Sequence, residues 1–335
     1  MVDVLPLRAN DLGVKERYHT GTHGSGIQGK GKDIGAFRYL SGNKWDRLRE
    51  GATDQTQLKS WVAYEKRFYA MAAGTVVGGW RNAPENRPSS KDGTTHHDPD
   101  WDAGNVIGGG NHLWILQDDG VYALYAHAIP GTIPDNLGLS NARLITTGPW
   151  KQGPNPDIWP EAAVTNGAKV RAGQYLGQIG MSGSTDQLPH LHVHMEKDGN
   201  PVAMPFSRGM TTPFNGAANF NGPWTKLEGK TLPNEVLVWA PHTVGKYTFN
   251  GTPAAEYQSL FDHMSDSGMM PELITCESNG AFYNVTWIPP SGIWVSFAGM
   301  SAADAEAKHA TYTQQGYKRT SSYTCGSKTV AVWRK

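Results

Sequence analysis

The sequence predicts an α+β fold in which β-strands dominate. Its 335 residues include 40 Gly and 12 Trp, a combination that favours short strands and tight turns over helical bundles. Strong helix patterns occur in the C-terminal part, within a repeated order of strand, helix and strand. A chain of this length can form two domains of ordinary size. We predict a first domain over residues 1–225 and a small α+β repeat domain over residues 226–335.

The charge and hydropathy of the chain exclude several classes of protein. The formal net charge is zero, whereas a protein that binds nucleic acid broadly carries an excess of basic residues. No run of 18 apolar residues occurs, so no membrane-spanning helix is predicted. The first residues, Met1 to Val4, do not resemble a signal peptide. We therefore expect either a cytoplasmic protein or a mature exported form with an added Met1.

Strand and turn patterns follow one another through the first domain. Residues 1–50 are rich in Gly and are expected to be irregular. Asp119-Gly120 separates two apolar runs and predicts a hairpin between residues 111 and 127. Polar loops are expected over residues 82–105 and 130–167. Further strands are predicted at Gly74–Val77, at Lys169–Ile179 around a turn, and at Pro189–Met195.

The C-terminal part repeats with a period of about 48 residues, as the spacing of Trp239 and Trp287 shows. Tyr257, Leu260, Phe261 and Met264 form one apolar helical face in the first copy. Ser301 and Asp304 predict a capped helix in the second. Trp at a fixed period on strands usually packs, so Trp239, Trp287 and Trp333 are predicted to lie in the core of the repeats.

Cys276 and Cys325 fall at nearly equivalent positions of the two copies. Two cysteines form no disulfide framework. A bridge between neighbouring repeats suits an exported protein, and two buried free thiols fit the sequence equally well.

The strongest chemical signal is the segment Pro-His-Leu-His-Val-His-Met at residues 189–195. Alternate side chains of a strand share a face, so His190, His192 and His194 are predicted to face a groove while the residues between them are buried. Residues two apart on a strand are about 7 Å apart, which lets two imidazoles converge on one site. Clustered histidines are typical of metal sites, and neutral imidazole suits zinc.

The order of motifs resembles the lysostaphin/LytM-like zinc metallopeptidases over roughly residues 18–206. It runs through Asp-Ile-Gly-Ala, Gly-Thr-Val-Val, Tyr-Ala-His, Val-Arg-Ala-Gly-Gln-Tyr-Leu-Gly and Pro-His-Leu-His. The resemblance implies an antiparallel sheet that forms an open groove and holds Zn²⁺. It implies that His192 and Asp33 are zinc ligands. It also implies that His127 and His190 lie beside the metal water as catalytic residues.

The first zinc ligand departs from the spacing His-x-x-x-Asp of many family members, because Gly29 stands four residues before Asp33. A longer gap is similar to the β-lytic and staphylolytic branch. His23 is favoured as the ligand because of its flexible Gly-rich setting, and His19 is the alternative. His96 and Asp100 have the standard spacing but lie in a polar loop after the Gly-Thr-Val-Val strand. They are predicted to be a solvated turn and become candidates if the earlier residues fail.

The remaining histidines carry weaker expectations. His194 stands where many relatives carry Phe-Glu after the motif, and it is either a partner of the ligands or part of the groove wall. Structural roles are expected for the histidines without a motif, His112, His242, His263 and His309.

The resemblance implies a secreted endopeptidase that cuts peptide bonds in the stems or cross-bridges of bacterial peptidoglycan. A monomer is the default expectation. Two other functions remain open: a non-catalytic relative that binds or regulates at the wall, and a protease for Gly-rich extracellular proteins. The C-terminal repeats are similar to bacterial tandem modules found beside exported hydrolases. Binding of wall polymer or substrate is expected for them.

Overall fold

A computed structural model gives the structure of the chain over residues 4–13, 15–21, 23–88, 96–145, 158–185, 188–220, 222–240, 246–266 and 268–335. It forms two compact units. The first consists of Met1–Ala218 and Leu227–Trp239, and the second of Asn219–Lys226 and Ala240–Lys335. The domain division predicted near residue 225 and the roles given to its two parts stay predictions. Strand pairing within the first unit extends to Trp239.

Strands dominate the regular secondary structure of the first unit. They are β1 (Glu16–Gly21), β2 (Lys32–Tyr39), β3 (Trp45–Asp46), β4 (Arg67–Tyr69), β5 (Gly74–Trp80), β6 (His112–Gln117), β7 (Tyr122–Ala126), β8 (Lys169–Val170), β9 (Tyr175–Gln178), β10 (Leu191–Lys197), β11 (Asn200–Val202), β12 (Pro205–Phe206), β13 (Met210–Pro213), β15 (Lys230–Thr231) and β16 (Val236–Trp239). One short α-helix, α1 (Pro99–Asp102), and the 3₁₀ turns Ala9–Asp11, Gly26–Gln28, Leu58–Ser60, Asp135–Leu137 and Pro160–Ala162 connect them.

One large antiparallel sheet organises this unit, in the order β13-β16-β1-β2-β10-β7-β6-β5-β8. Strand β11 extends the pairing of β10, and β3 pairs with β2. Smaller pairs form between β4 and β9 and between β12 and β15. The predicted β-rich antiparallel architecture is therefore confirmed. The α+β class and the repeat domain stay predictions.

The expected irregularity of residues 1–50 is wrong, because β1 and β2 lie there and pair over six residues. Glycines in these strands interrupt the alternation of apolar and polar residues that would indicate a strand. Gly35, for example, takes a strand position opposite His19. The apolar residues Tyr18, Ile34 and Ala36 are nonetheless buried. Burial of such side chains contributes about 1.5–3 kcal/mol each for the larger ones, which holds these two strands at the centre of the sheet.

The predicted hairpin at Asp119-Gly120 is confirmed, since β6 and β7 are antiparallel neighbours. Gly120 has a φ of 81° and its N–H donates to the carbonyl of Gln117. A positive φ favours Gly at this position. The hairpin matters for function because β7 ends directly before His127.

The second unit contains two successive groups of one helix and three strands. Its elements are β14 (Thr225–Lys226), β17 (Tyr247–Pro253), α2 (Ala254–Asp266), β18 (Met270–Glu277), β19 (Phe282–Ile288), β20 (Trp294–Met300), α3 (Ala302–Gln314), β21 (Lys318–Cys325) and β22 (Lys328–Arg334), with a 3₁₀ turn at Ser278–Gly280. The strand orders are β17-β19-β18 and β20-β22-β21. In each group the last strand is central.

Both predicted helices are present. Tyr257, Leu260 and Met264 are buried along one face of α2. Helix α3 begins with a capping box in which the Ser301 hydroxyl accepts from the Asp304 N–H and the Asp304 carboxylate accepts from the Ser301 N–H. Such a cap satisfies N–H groups that the first turn leaves free.

The tryptophan predictions are confirmed in part. Trp287 and Trp333 are fully buried in the second unit. Trp239 is buried as well, but it lies on β16 in the first unit, where the guanidinium of Arg17 packs over its ring at 4.1 Å. Its placement in the repeat core is therefore wrong, because β16 pairs with β1 and β13.

A disulfide joins Cys276 on β18 to Cys325 on β21. It decides between the two alternatives that the sequence left open, in favour of the bridge. The bond links the two groups of strands across 49 residues of chain.

Candidate active site

The site begins with the pairing of β2 and β10. Asp33 and His192 are directly opposite each other in this antiparallel pair. Opposite residues of neighbouring strands have side chains on the same face. Asp33 Oδ1 accordingly lies 2.8 Å from His192 Nδ1. Residues on both faces of β10 are buried, but the histidines at 190, 192 and 194 line the neighbouring cavity, whereas Leu191, Val193 and Met195 do not. His190 itself directly precedes the strand.

His23 completes a group of three candidate ligands. It follows the end of β1 and places Nδ1 2.8 Å from Asp33 Oδ2, while its Nε2 lies 2.6 Å from Gln28 Oε1. The rings of His23 and His192 are 4.2 Å apart. One ligand atom from each of His23, Asp33 and His192 lies within 4.8 Å of the others. In the described residues this is the one cluster of three such groups able to hold a metal ion.

The charges of the cluster suit a cation. Burial raises the pKa of Asp33, but hydrogen bonds to His192 and His23 outweigh it and hold that pKa well below its ordinary value. Burial lowers the pKa of His192 to about 4, although Asp33 opposes the shift. The hydrogen bond to Asp33 raises the pKa of His23. Near neutral pH the cluster thus holds an ionised carboxylate beside a neutral imidazole.

His127 lies directly after β7 with a φ of 72°, an uncommon conformation for a residue with a side chain. Its Nδ1–H donates to the carbonyl of Ser182 at 2.8 Å, which leaves Nε2 as the nitrogen with a lone pair. Burial lowers its pKa well below the ordinary value, and His190 and His192 add to the effect. His127 is therefore a neutral imidazole with one nitrogen free to accept a proton.

His190 is fixed in a similar way. Its Nδ1–H donates to the carbonyl of Leu188 at 3.0 Å, and its Nε2 lies 3.7 Å from Asp33 Oδ1. The rings of His127 and His190 are 4.8 Å apart. Two imidazoles oriented by backbone carbonyls therefore stand side by side next to the ligand cluster.

These residues line one cavity of about 920 Å³ in the first unit. All five predicted site residues, His23, Asp33, His127, His190 and His192, contribute to its wall. Apolar side chains on the same wall include Ile107, Trp114, Trp159 and Leu188. A groove with a polar centre and apolar walls can bind a peptide segment and exclude water around the reacting bond.

The donor set fits zinc. Two imidazoles and one carboxylate are nitrogen and oxygen ligands of the kind that zinc binds, and three protein ligands leave a fourth position for water. The ionised Asp33 and the neutral His192 already have the protonation states that a cation requires.

The alternative ligands lie outside the cluster. His19 lines the same cavity, but it contacts Glu235 at 3.5 Å and packs against Phe37 and Phe214. His96 is exposed and pairs with Arg87 in a β-bridge, while Asp100 forms an ion pair with Arg143 at 2.8 Å. The structure thus brings His23, rather than His19 or the His96–Asp100 pair, to Asp33.

The other histidines have varied surroundings. His112 is buried and its Nδ1–H donates to the carbonyl of Gly110, while His309 accepts from the indole of Trp333. His242 and the side chain of His263 lie outside the described residues. His194 contacts His192, and Glu196, which the motif reasoning missed, continues the same face of β10. The period-2 pattern of this strand could have predicted Glu196.

Comparisons with known proteins found similarity among solved structures only. No family model matches the chain, and no curated protein matches it significantly. Among solved structures it is similar to the catalytic domain of the antimicrobial peptidase lysostaphin from Staphylococcus simulans, with 18% identity over 56% of this chain and 87% of that chain and a TM-score of 0.25.

Two further structures are similar to the chain. One is a zinc-containing peptidase from Vibrio cholerae, with 13% identity over 52% of this chain and 48% of that chain and a TM-score of 0.23. The other is a variant catalytic domain of a prophage-encoded M23 protein from Enterococcus faecalis, with 20% identity over 46% of this chain and 81% of that chain and a TM-score of 0.18. Likeness at this level carries no argument about activity, which rests on the residues of the site.

Proposed function

We propose that the first unit is a zinc-dependent endopeptidase that hydrolyses peptide bonds in bacterial peptidoglycan, in stem peptides or cross-bridges. The observation that supports this most is the convergence of His23, Asp33 and His192 within 4.8 Å, with His127 and His190 beside them in one cavity. The residue types match metal-assisted hydrolysis, and the peptidoglycan substrate follows from the family resemblance.

His23, Asp33 and His192 are the residues that would hold the zinc ion. When bound, zinc supplies an acidified water as nucleophile and polarises the scissile carbonyl. Asp33 contributes the negative charge of the ligand set, and its contacts with His23 and His192, each at 2.8 Å, bring the three ligands together. The buried position of His192 fixes its ring, because the side chains on either side of it along β10 are also buried.

His127 and His190 would perform the proton transfers. His127 Nε2 is a neutral acceptor in a dry setting, so it can act as a general base. His190 donates its Nδ1–H to the Leu188 carbonyl, so its Nε2 presents a lone pair, and it can donate a hydrogen bond toward charge on the carbonyl oxygen once Nε2 has taken a proton from the attacking water. A pair of this kind contributes most when both rings are held before the substrate arrives, as the two backbone carbonyls hold them here.

The second unit is proposed to bind wall polymer. Phe282 and Tyr323 are 40% and 46% exposed, and Ile293 is 62% exposed. Exposed aromatic rings can stack on sugar faces or pack on peptide. None of the described residues of this unit lines the cavity. Its expected effect is therefore on affinity for an insoluble target rather than on the chemical step.

A secreted location is also proposed. The disulfide between Cys276 and Cys325 suits an oxidising compartment. None of the described helices is long and apolar enough to cross a membrane. A monomer that binds no nucleic acid is proposed from the neutral net charge and the single-chain site.

The test is hydrolysis of purified peptidoglycan by the zinc-loaded chain, followed as new amino groups and identified by mass spectrometry. Cleavage at peptide bonds of the wall supports the proposal. Binding to the wall without new amino groups favours the non-catalytic alternative. Cleavage of a Gly-rich soluble protein with an intact wall favours the third function.

Binding by the second unit is tested by co-sedimentation of the full chain with cell walls. Phe282→Ala combined with Tyr323→Ala is expected to reduce pelleting while turnover of a short soluble peptide stays unchanged. Equal pelleting of this variant and the unchanged chain would contradict the proposal for the second unit alone.

A further inference from the structure

The cavity-facing side of β10 continues beyond the ligands. His190 and His192 are followed on the same face by His194 and Glu196, all of which line the cavity. His194 and Glu196 are only 2% and 5% exposed. Neither residue belongs to the ligand cluster or to the His127–His190 pair. Burying an imidazole or a carboxyl group without a hydrogen-bond partner costs free energy. The burial of both groups next to the candidate metal site therefore suggests that they have a role there.

The contacts form a chain that starts at Asp33. His192 Nδ1 lies 2.8 Å from Asp33 Oδ1, and His192 Nε2 lies 2.8 Å from His194 Nδ1. His194 Nε2 in turn lies 3.6 Å from Glu196 Oε2. Both nitrogens of His192 therefore face a partner, one toward the ligand cluster and one toward the interior of the strand face.

A neutral imidazole has one N–H and one lone pair, so this chain has two proton arrangements. In the first, His192 Nδ1–H donates to Asp33 and His194 Nδ1–H donates to His192 Nε2. His194 then turns the lone pair of Nε2 toward Glu196, where two acceptors face each other. No hydrogen-bond partner satisfies that nitrogen in the structure.

In the second arrangement each ring still carries one proton, but on Nε2. His192 Nε2–H donates to His194 Nδ1, and His194 Nε2–H points at the Glu196 carboxylate. The lone pair of His192 then lies on Nδ1 and faces the ligand cluster. An ionised carboxylate only accepts hydrogen bonds, so Glu196 favours this second arrangement. Asp33, whose Oδ1 lies 2.8 Å from His192 Nδ1, favours the first arrangement until a metal ion takes the lone pair of Nδ1. The second arrangement is the one in which His192 can bind a metal.

The rings are held in place for this role. Trp114 packs edge-on against His194, with ring centroids 5.4 Å apart. The backbone at Gly31 approaches His194 so closely that an added Cβ would lie 3.1 Å from the Cβ of His194. These contacts restrict the position of the His194 ring, which is almost completely buried.

We infer that His194 and Glu196 are positioning residues that hold His192 in the tautomer whose Nδ1 binds the metal. Ligating histidines usually direct their second nitrogen to a carboxylate or carbonyl, and loss of that partner costs about 10–100-fold in metal affinity. Here a second histidine transmits the effect of the carboxylate. The inference rests on the proposed zinc site, and it adds residues that do not contact the metal or the substrate.

The experiment measures zinc affinity by competition with a chelator for the full chain and four variants. His194→Phe removes the acceptor and is expected to weaken zinc binding by about 10–100-fold. His194→Gln retains an acceptor oxygen and is expected to restore most of the affinity. Glu196→Gln removes the negative charge that favours the second proton arrangement but keeps the size of the side chain. Zinc affinity is expected to fall by up to about tenfold. His97→Phe, at a histidine outside the cavity, is the control and is expected to leave affinity unchanged.

A second readout is the tautomer itself. Long-range ¹H–¹⁵N NMR spectra of the zinc-loaded chain are expected to show His192 and His194 both protonated at Nε2. Protonation of His194 at Nδ1 would overturn the inference, and so would equal zinc affinity of His194→Phe and the unchanged chain. If the unchanged chain binds no zinc, the proposed function fails and this inference fails with it. Loss of folding in His194→Phe leaves the decision to His194→Gln, Glu196→Gln and the spectra.

Discussion

Strands β10 and β19 occupy similar positions in their sheets, but the side chains on one face of each strand differ in polarity. Each is central, with antiparallel neighbours on both sides. On β19 the alternate residues Tyr283, Val285 and Trp287 are buried and apolar or aromatic. On β10 the alternate residues include His192 and His194, which are buried but polar.

The comparison of the two strands shows that polar side chains can be buried where each has a hydrogen-bond partner. A buried imidazole without partners loses its hydrogen bonds to water, which costs more than apolar packing returns. On β10 nearly every such group has a partner within the first unit, from Asp33 to Glu196. On β19 the side chains need only fill space. One face is thus specialised for chemistry and the other for packing.

The largest effect is expected from Asp33→Ala. This change removes one of the three proposed ligands and the negative charge of the set, so zinc affinity should fall by more than about 100-fold, beyond the loss expected for a residue outside the ligand set, and turnover should be lost. Zinc content and hydrolysis are measured on the same samples. Asp100→Ala, at a carboxylate paired with Arg143 away from the cavity, is the matched control. A zinc-loaded, active Asp33→Ala chain would show that β10 faces no metal site.

Removal of His127 or His190 is expected to reduce turnover without loss of zinc binding. His127→Ala and His190→Ala remove groups beside the cluster but not its ligands, so zinc should stay bound while turnover falls by about 10²–10⁴. His192→Ala and His23→Ala should lose zinc and turnover together. If His190→Ala loses zinc and His192→Ala retains it, the two roles are reversed.

Substitutions on β19 are expected to change the stability of the second unit rather than zinc binding. Trp287→Ala is expected to destabilise the second unit by about 3–5 kcal/mol, because it opens a cavity where a fully buried ring stood. Phe282→Ala, on the same strand but 40% exposed, should cost far less. Denaturant unfolding with zinc content measured alongside checks this. A loss of zinc in folded Trp287→Ala would break the contrast between the two strands.

The sequence predicts the polar residues of β10 better than it predicts the residues from other elements that contact them. The alternation of His190, His192 and His194 is visible because strand period and residue type suffice, whereas Asp33 is implied by the family resemblance of its motif. His23 is favoured over His19 because of its Gly-rich setting, but the end of β1, which places His23 beside Asp33, carries no clear signal in that Gly-rich sequence. The carbonyl of Ser182 that orients His127 has no side-chain signal at all, since any residue presents a carbonyl.

The smallest predicted effect concerns Glu85, which positions the turn behind His127. Its carboxylate accepts from the N–H of Met181 and the hydroxyl of Tyr64, each at 2.9 Å. Burial raises its pKa to about 7. Because the folded state holds this proton more tightly than the unfolded state, stability should decrease as pH rises from about 4.5 to 7, by at most roughly 3 kcal/mol.

Glu85→Gln is expected to remove that part of the pH dependence and retain the acceptor for Met181. Unfolding free energies between pH 4 and 8 are compared for the two chains. Glu50→Gln, at an exposed carboxylate, serves as the control. Parallel pH profiles of Glu85→Gln and the unchanged chain would show that Glu85 titrates normally.

The central claim is that the polar face of β10 serves metal-dependent hydrolysis. The most direct measurement is a titration of metal-free full-length chain with zinc, with bound zinc and release of amino groups from purified peptidoglycan recorded at each step. We predict that turnover is absent without zinc and rises in proportion to bound zinc until one ion occupies each chain. Full turnover by the metal-free chain, or tight binding of one zinc without any hydrolysis, would contradict this account.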